Sequence, residues 1–387
     1  MQYLKSSTYT LKNIFLFFLA FFLISYLAKL GDFFSFSSLI TPLVFCFLIS
    51  IFFFLKKEKI KINIFDIFLI FAVFYSLLSV FFNEITSGHF LLLMQFNLLA
   101  VGSYFILRFI AIDNHEMKLL FRLISIIFLG SIFFVFLFIP VGVLIGSNLR
   151  LGGDYFNAVG LGYSSLMVLG SSVCSLFYLG EKKILWKTIM VTSFILALII
   201  IFLSGSRGSF GTAIIMLILL FLRKYIELSV LKKISILLIL VVPVIYFFDY
   251  IELGNFRVFN FSINDSVLVR FSLYEEAFNA ISEAPLLGNG FSEFQYINGY
   301  PHNILLELVL YFGVVGLLFS YLILASLFYI PYKIIFEKNQ TKLVFFIIIL
   351  LMLIPKFVST NIGMSKELLI FLSIYLTNKN YFHIELK

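Results

Sequence analysis

Residues Tyr300-Pro301-His302-Asn303, the apolar run Ile304–Leu310 behind them and Gly313-Val314-Val315-Gly316 decide how this chain is read. The run continues apolar to about residue 330, longer than the roughly 20 residues that cross a bilayer. Proline suits the first turn of a helix or the residue just before it, because its fixed φ and missing N–H cost nothing there. Two glycines three residues apart predict a small-residue face against which a neighbouring helix packs closely. The stretch therefore predicts a membrane helix with an imidazole, His302, held at its mouth at a membrane surface. Asn303 stands beside it, and Glu307 falls one turn further in. An intramembrane carboxylate is a candidate for function, either orienting the His302 region or pairing with an arginine.

Composition extends this reading to the whole chain. It has 387 residues, 62% hydrophobic and 12% charged, and that charged share is about half of what a soluble domain carries. Apolar runs of membrane-spanning length recur throughout. About twelve spans are predicted, roughly at residues 13–30, 36–55, 64–83, 90–111, 119–147, 159–180, 186–204, 208–223, 233–250, 303–330, 343–357 and 366–378. The expected fold is an all-α polytopic membrane protein, a single integral membrane domain over residues 1–387.

Charges orient it. Twenty-one of the 28 lysines and arginines fall in alternate connections, while the other connections hold only Lys29, Arg150, Arg207, Arg257, Arg270, Lys356 and Lys366. The basic side and both termini are placed in the cytoplasm by this asymmetry. The net charge of +8 is then a matter of topology and lipid head groups, and not a nucleic-acid surface. Cys46 and Cys174 lie inside apolar runs, too few for a disulfide framework or a metal site. The first apolar run lacks a small-x-small cleavage pattern and reads as a retained helix.

The external side is the informative one. Its one long connection, 251–301, is expected to be functional by its length alone. It holds an amphipathic stretch, Arg270 to Glu283, with Phe271, Tyr274, Phe278 and Ile281 on one helical face and Glu275, Glu276, Asn279 and Glu283 on the other. Pro285 stops that stretch, and the turn-rich Leu287-Gly288-Asn289-Gly290 follows. A second external feature is the tight turn Ser204-Gly205-Ser206-Arg207-Gly208-Ser209. Small residues ahead of a helix let backbone N–H groups converge on an anion, and Arg207 adds a planar fork suited to phosphate. Arg150, in Asn148-Leu149-Arg150-Leu151-Gly152-Gly153-Asp154, and Arg270 are external too. Lysine would serve topology equally well at these places, so the use of arginine favours bidentate phosphate recognition. Of the four histidines, only His302 stands at a helix start beside the long external loop. Imidazole titrates near neutrality, which makes it the natural acceptor of a hydroxyl proton. The sequence has no Walker loop, Rossmann fingerprint, zinc spacing or external carboxylate cluster. Arginines would therefore have to neutralise a phosphate leaving group.

Taken together, Arg150-Leu-Gly-Gly, Ser204-Gly-Ser-Arg207-Gly, Arg270 ahead of Pro285-Leu-Leu-Gly-Asn-Gly-Phe, and Pro301-His302-Asn303 with nine residues to Gly313-x-x-Gly316 resemble the O-antigen ligase and O-antigen polymerase superfamily of bacterial membrane glycosyltransferases. The resemblance implies a multi-pass inner-membrane enzyme of lipopolysaccharide or polysaccharide biosynthesis with a periplasmic active site. It implies an undecaprenyl-diphosphate-linked glycan as donor and a glycan or lipid A–core as acceptor. Membrane lipids surround the site, a chain-length regulator is a further expected partner, and neither cofactor nor metal takes part. His302 would be the base that activates the acceptor hydroxyl, and Arg207 and Arg270 would hold the diphosphate. Arg150, Ser204, Ser206, Asn303 and Glu307 are expected to bind substrate. Polymerisation of repeat units is the first expectation and ligation to lipid A–core the alternative. No paired Arg-x10-Gly repeat of the polymerase kind is present, since position 281 is Ile. A lipid-linked oligosaccharide flippase also needs many helices and a basic interior. It would, however, place polar groups near the bilayer midplane, whereas the groups above are expected at the outer surface.

Overall fold

A computed structural model describes residues 2–24, 45, 48–49, 51–52, 62–82, 93–138, 158–226, 265–290, 301–357 and 365–378. Among these residues the chain is helical, with no strand. Long runs of Leu, Ile and Phe in lipid leave the backbone no partner but itself, which selects helices. In chain order they are α1, Gln2–Leu23; α2, Ile64–Phe82; a π-helical stretch, Gln95–Gly102, running into α3, Ser103–Arg108; α4, Asn114–Phe138; and α5, Ala158–Val173, continued by π turns over Cys174–Tyr178. There follow α6, Ile184–Leu203; α7, Arg207–Ile226; α8, Asp265–Glu283; α9, Ile304–Phe336; α10, Gln340–Leu353, with a short 3-10 turn at Ile354–Phe357; and α11, Lys366–Asn378.

Five of the described helical segments are long and apolar enough to cross a membrane: Val159–Tyr178, Ile184–Leu203, Arg207–Ile226, Ile304–Phe336 and Gln340–Phe357. They coincide with expected spans, and α2 and α11 lie where two further spans are expected. The expected ninth span, most of the second, and Arg150 with its neighbours fall outside the described residues. So does the long connection 251–301, apart from 265–290 and residue 301.

The helices sort by what surrounds them. α10 is buried from Leu343 to Leu353, and α5 is buried along most of its length. The two touch closely at Gly170, where a Cβ would come within 2.5 Å of Leu351 Cδ1. α6 and α7 instead present Val191, Ile195 and Ile199 and then Ile214, Ile215 and Ile218 outward, as helices at a lipid-facing rim do.

The register of the bundle follows from named contacts. At one end Gly162 of α5 lies against Ser206 and Ser209, and Tyr163 Oη donates to Pro355 O at 3.4 Å. At the other end the Arg223 guanidinium closes on α9, with Nη1 donating to Ile334 O at 2.9 Å and Ile335 O at 3.1 Å. α5 and α7 therefore run the same way, and α10 runs against them.

α9 departs most from expectation. Gly313 has φ 54° and ψ −132°, which no helix accommodates. The chain reverses there into two antiparallel arms, α9a (304–312) and α9b (314–336). Ser320 Oγ donates to Leu305 O across the hairpin at 3.0 Å. A Cβ at Gly316 would collide with the Leu308 carbonyl. The two glycines are therefore not a face offered to another helix. Gly313 supplies the left-handed turn, and Gly316 supplies the space that lets the two arms touch.

Candidate functional site

The site is built on α9a. Pro301 precedes this arm by two residues, and the cap is Asn303, whose Oδ1 accepts from Leu305 N at 3.0 Å and Leu306 N at 3.3 Å. That bond satisfies two of the orphan N–H groups of the first turn, so Asn303 acts here as the helix cap. His302 has φ 55°, the one positive φ outside glycine among the described residues. Its ring is half-buried, with Nδ1 closed off from solvent. The direction of α9a matters. The arm runs toward the Gly313 turn and its nine residues, 304–312, are about 13 Å long at 1.5 Å per residue, so His302 is set back from that turn by at least the length of the arm. The returning arm α9b passes beside the start of α9a, where Ser320 meets Leu305, close to the half-buried imidazole.

The segment after α8 clasps the far end of α9a. Asn289 N donates to Leu310 O at 2.8 Å, Gly290 N to Tyr311 O at 3.1 Å, and Val314 N to Leu286 O at 3.2 Å. These bonds satisfy carbonyls that a helix C-terminus leaves open. Gly288, with φ 76°, lies so close that a Cβ would reach Gly313 N at 2.5 Å. Asn289 Nδ2 also donates back to Ala280 O at 2.8 Å, and Tyr75 Oη to Leu287 O at 2.6 Å. Residues 286–290 are therefore a strap that joins α8, the helix of Arg270, to the arm that starts at His302.

α8 ends at Glu283, ahead of Pro285, as its sequence predicts. Its packed face differs from the expected one. Leu273 and Ala277 are buried and Ala280 and Ile281 partly so, whereas Phe271 and Phe278 are 62% and 60% exposed. Small Ala277 allows close approach to α9a, and the large rings are left outside. Arg270 is partly exposed on this helix.

Arg207 opens α7 after a turn in which Gly205 has φ 62°. Ser204 Oγ donates to Ile201 O at 2.8 Å and accepts from Ser206 N at 3.2 Å. Ser206 Oγ and Ser209 Oγ share a hydrogen bond at 3.0 Å against Gly162. Both predicted serine hydroxyls are thus engaged inside the turn, where they hold Arg207 in place.

Near this turn Glu307, an expected site residue, belongs to a cluster whose other members, Lys356, Lys366 and Glu367, sequence reasoning did not assign to the site. Glu307 is fully buried, within electrostatic reach of Tyr311 and Lys356. Lys356 Nζ lies 3.9 Å from Glu367 Oε2, and Lys366 Nζ lies 3.9 Å from Glu367 Oε1. Lys356 also sits 5.6 Å from the Tyr163 ring centroid. Lys366 donates to Phe22 O at 2.9 Å and covers the Phe22 ring at 4.1 Å. Both lysines and Glu367 are almost wholly buried, at the junction of two short helices, α10 and α11. The only signal in the sequence is two lysines beside the two shortest apolar runs. Two carboxylates and two ammonium groups therefore lie inside the bundle, Glu307 as expected of an intramembrane carboxylate and the other three unannounced.

Arg207, Arg270 and His302 are thus carried by elements that meet at α9, since α7 and α8 both pack against it. Residues 192–321 match the O-antigen ligase family model. The match agrees with the resemblance to the O-antigen ligase and polymerase superfamily read from the sequence, and it spans Arg207, Arg270, His302, Asn303 and Glu307. No curated protein and no solved structure matched the chain. The matched segment includes α7, the strap and the whole α9a hairpin turn, with α8 between them. Among the described residues no group of three or more His, Cys, Asp and Glu side chains is arranged to hold a metal ion.

Proposed function

We propose that this chain transfers a glycan from undecaprenyl diphosphate to an acceptor hydroxyl at the periplasmic face of the bacterial inner membrane, polymerising O-antigen or capsule repeat units. His302 takes the acceptor proton as the hydroxyl oxygen attacks the anomeric carbon. The carbon–oxygen bond to the diphosphate breaks with inversion, and undecaprenyl diphosphate leaves with the bonding pair. Arg207 and Arg270 hold the diphosphate and stabilise the charge developing on it, with Arg150 as a further contact to substrate. Glu307 orients the His302 arm from within the bundle.

One observation carries this reading: the segment matching the O-antigen ligase family contains Arg207, Arg270 and His302 together. A second reading, ligation of finished polymer to lipid A–core, is favoured by the description of that family. The flippase alternative gains from the buried Lys356–Glu367–Lys366 cluster, but it gives His302 and the strap no role.

In cells lacking the native gene, the wild-type chain restores long-chain glycan, whereas His302→Ala and Arg207→Lys each fail to do so. Arg207→Lys keeps the charge and loses the fork. Normal glycan from either variant overturns the assigned roles. The product left in the null strain separates the two readings. A single repeat unit on core indicates a missing polymerase, and free polymer on the carrier lipid beside bare core indicates a missing ligase.

A further inference from the structure

α10 gives way to the 3-10 turn at Ile354–Phe357, and Pro355 in that turn has no N–H to offer the Leu351 carbonyl one helical turn earlier. Glu367 stands in the first turn of α11, and Ser164 belongs to α5. Where these three helices meet lies a cavity of about 10 Å³, lined by Tyr163, Ser164, Leu351, Pro355, Lys356 and Glu367 among others. That is room for one water molecule and for little more. The cavity sits at the ion-pair cluster described above, at the end of α5 where Tyr163 meets Pro355.

Two polar atoms on its wall ask for a partner. Ser164 and Glu367 are only 2% and 5% exposed, and among the described residues Ser164 Oγ and Glu367 Oε1 are shut off from solvent without a hydrogen bond. The ammonium groups do not supply one. Lys366 Nζ stands 3.9 Å from Glu367 Oε1, and Lys356 Nζ stands 3.9 Å from Oε2, beyond the reach of a direct hydrogen bond. A polar contact of that length leaves room for a water between the groups. Burying a hydroxyl and a carboxylate oxygen unbonded is costly, and buried waters satisfy such groups in folded proteins. Cavities that stay dry are apolar throughout, which this one is not. Its ligand must also be neutral. The carboxylate already faces two ammonium groups, so a metal cation adds repulsion, and an anion meets the carboxylate itself.

We infer that this cavity is an internal water site. One water donates to Glu367 Oε1, accepts from the Ser164 hydroxyl and gives its second proton to the Leu351 carbonyl. It ties α5, α10 and α11 together around the ion pairs, and it completes the hydrogen bonding of a carboxylate that two lysines share. The inference stands apart from the transferase reading, which gives none of these three residues a role.

The test is radiolytic hydroxyl-radical footprinting of the full chain in mild detergent and heavy-oxygen water, read by mass spectrometry at single methionines. A bound water is split where it sits and marks side chains that radicals from bulk solvent do not reach. Met167 lines the cavity and Met216 of α7 does not, although both are buried, at 1% and 0% exposure. In the wild type Met167 takes up label at least about tenfold faster than Met216. Ser164→Val, which removes the hydroxyl and fills the space, brings Met167 down to the rate of Met216. Melting temperature gives a second reading. Ser164→Ala deletes a hydroxyl that holds the water, whereas Ser165→Ala deletes a buried hydroxyl of the same helix away from the cavity, so Ser164→Ala melts lower than Ser165→Ala. Equal labelling of the two methionines in the wild type overturns the inference. So does label on Met167 that survives in Ser164→Val, or a Ser164→Ala protein that melts at or above Ser165→Ala. The wild-type rates and the two alanine variants decide the matter where the valine variant does not fold.

Discussion

In the proposed function His302 carries two demands at once, one chemical and one conformational. A left-handed backbone costs a residue with a Cβ roughly 1–2 kcal/mol, and histidine tolerates it better than bulky or β-branched residues do. His302→Gly separates the two demands. It is expected to melt at or above the wild-type temperature while making no long-chain glycan, whereas His302→Val is expected to lose both stability and activity. A second residue-scale expectation concerns Glu181, in the short connection between α5 and α6. It accepts from Arg122 Nη2 at 2.6 Å and Nε at 2.8 Å. Burial pushes its carboxyl up, but the Arg122 guanidinium, the Lys183 N–H and the Lys118 charge together outweigh burial and hold it below the ordinary 4.5. A carboxylate lowered in the folded state adds stability that is complete above its unfolded value and disappears as pH falls through the folded one. Melting temperature is therefore expected to drop on acidification below about pH 4.5, and Glu181→Gln is expected to flatten that drop. An equal slope in the variant removes Glu181 from the account.

Among the elements, the α9 hairpin is the one that a linear reading misses. Hydropathy sees one long apolar run at 303–330 and is right about its composition, but a run that turns back on itself has the same composition as one that continues. The signal is the glycine pair, and it reads equally well as a packing face because small residues three apart also serve that purpose. Only the positive φ at Gly313 and the Leu308 carbonyl beside Gly316 separate the two uses. α8 shows the same limit: its end is legible from Pro285, but its packed face is not, since close approach to α9a selects the small Ala277 over the large rings. Gly316→Ala tests the hairpin. A methyl group driven into a backbone carbonyl is expected to cost at least about 1–3 kcal/mol and to break the Ser320–Leu305 bond. The readouts are a lowered melting temperature and faster amide exchange across 304–312. A Gly316→Ala variant as stable as wild type contradicts the turn.

At the scale of the molecule, the membrane class, several of the spans and the cation at Arg207 are readable because hydropathy and charge are additive along a chain. The intramembrane cluster is not, because it forms where three distant segments meet and no local pattern announces the meeting. Its energetics are those of buried charge: two ammonium groups share Glu367, and removing the shared partner leaves both poorly compensated. Glu367→Gln is expected to destabilise the protein by about 3–5 kcal/mol, seen as a large loss of folded material in detergent. A wild-type melting curve contradicts this role. The strap at 286–290 has its own outcome at this scale. It grips Leu310 and Tyr311 before the Gly313 turn and Val314 after it through main-chain atoms alone, so the end of α8 and the tip of the α9 hairpin form one rigid unit. On the proposed roles of Arg270 and His302, a pull on the Arg270 helix is passed through this unit to the arm of the imidazole, so filling the anion seat and aiming the proton acceptor become a single movement.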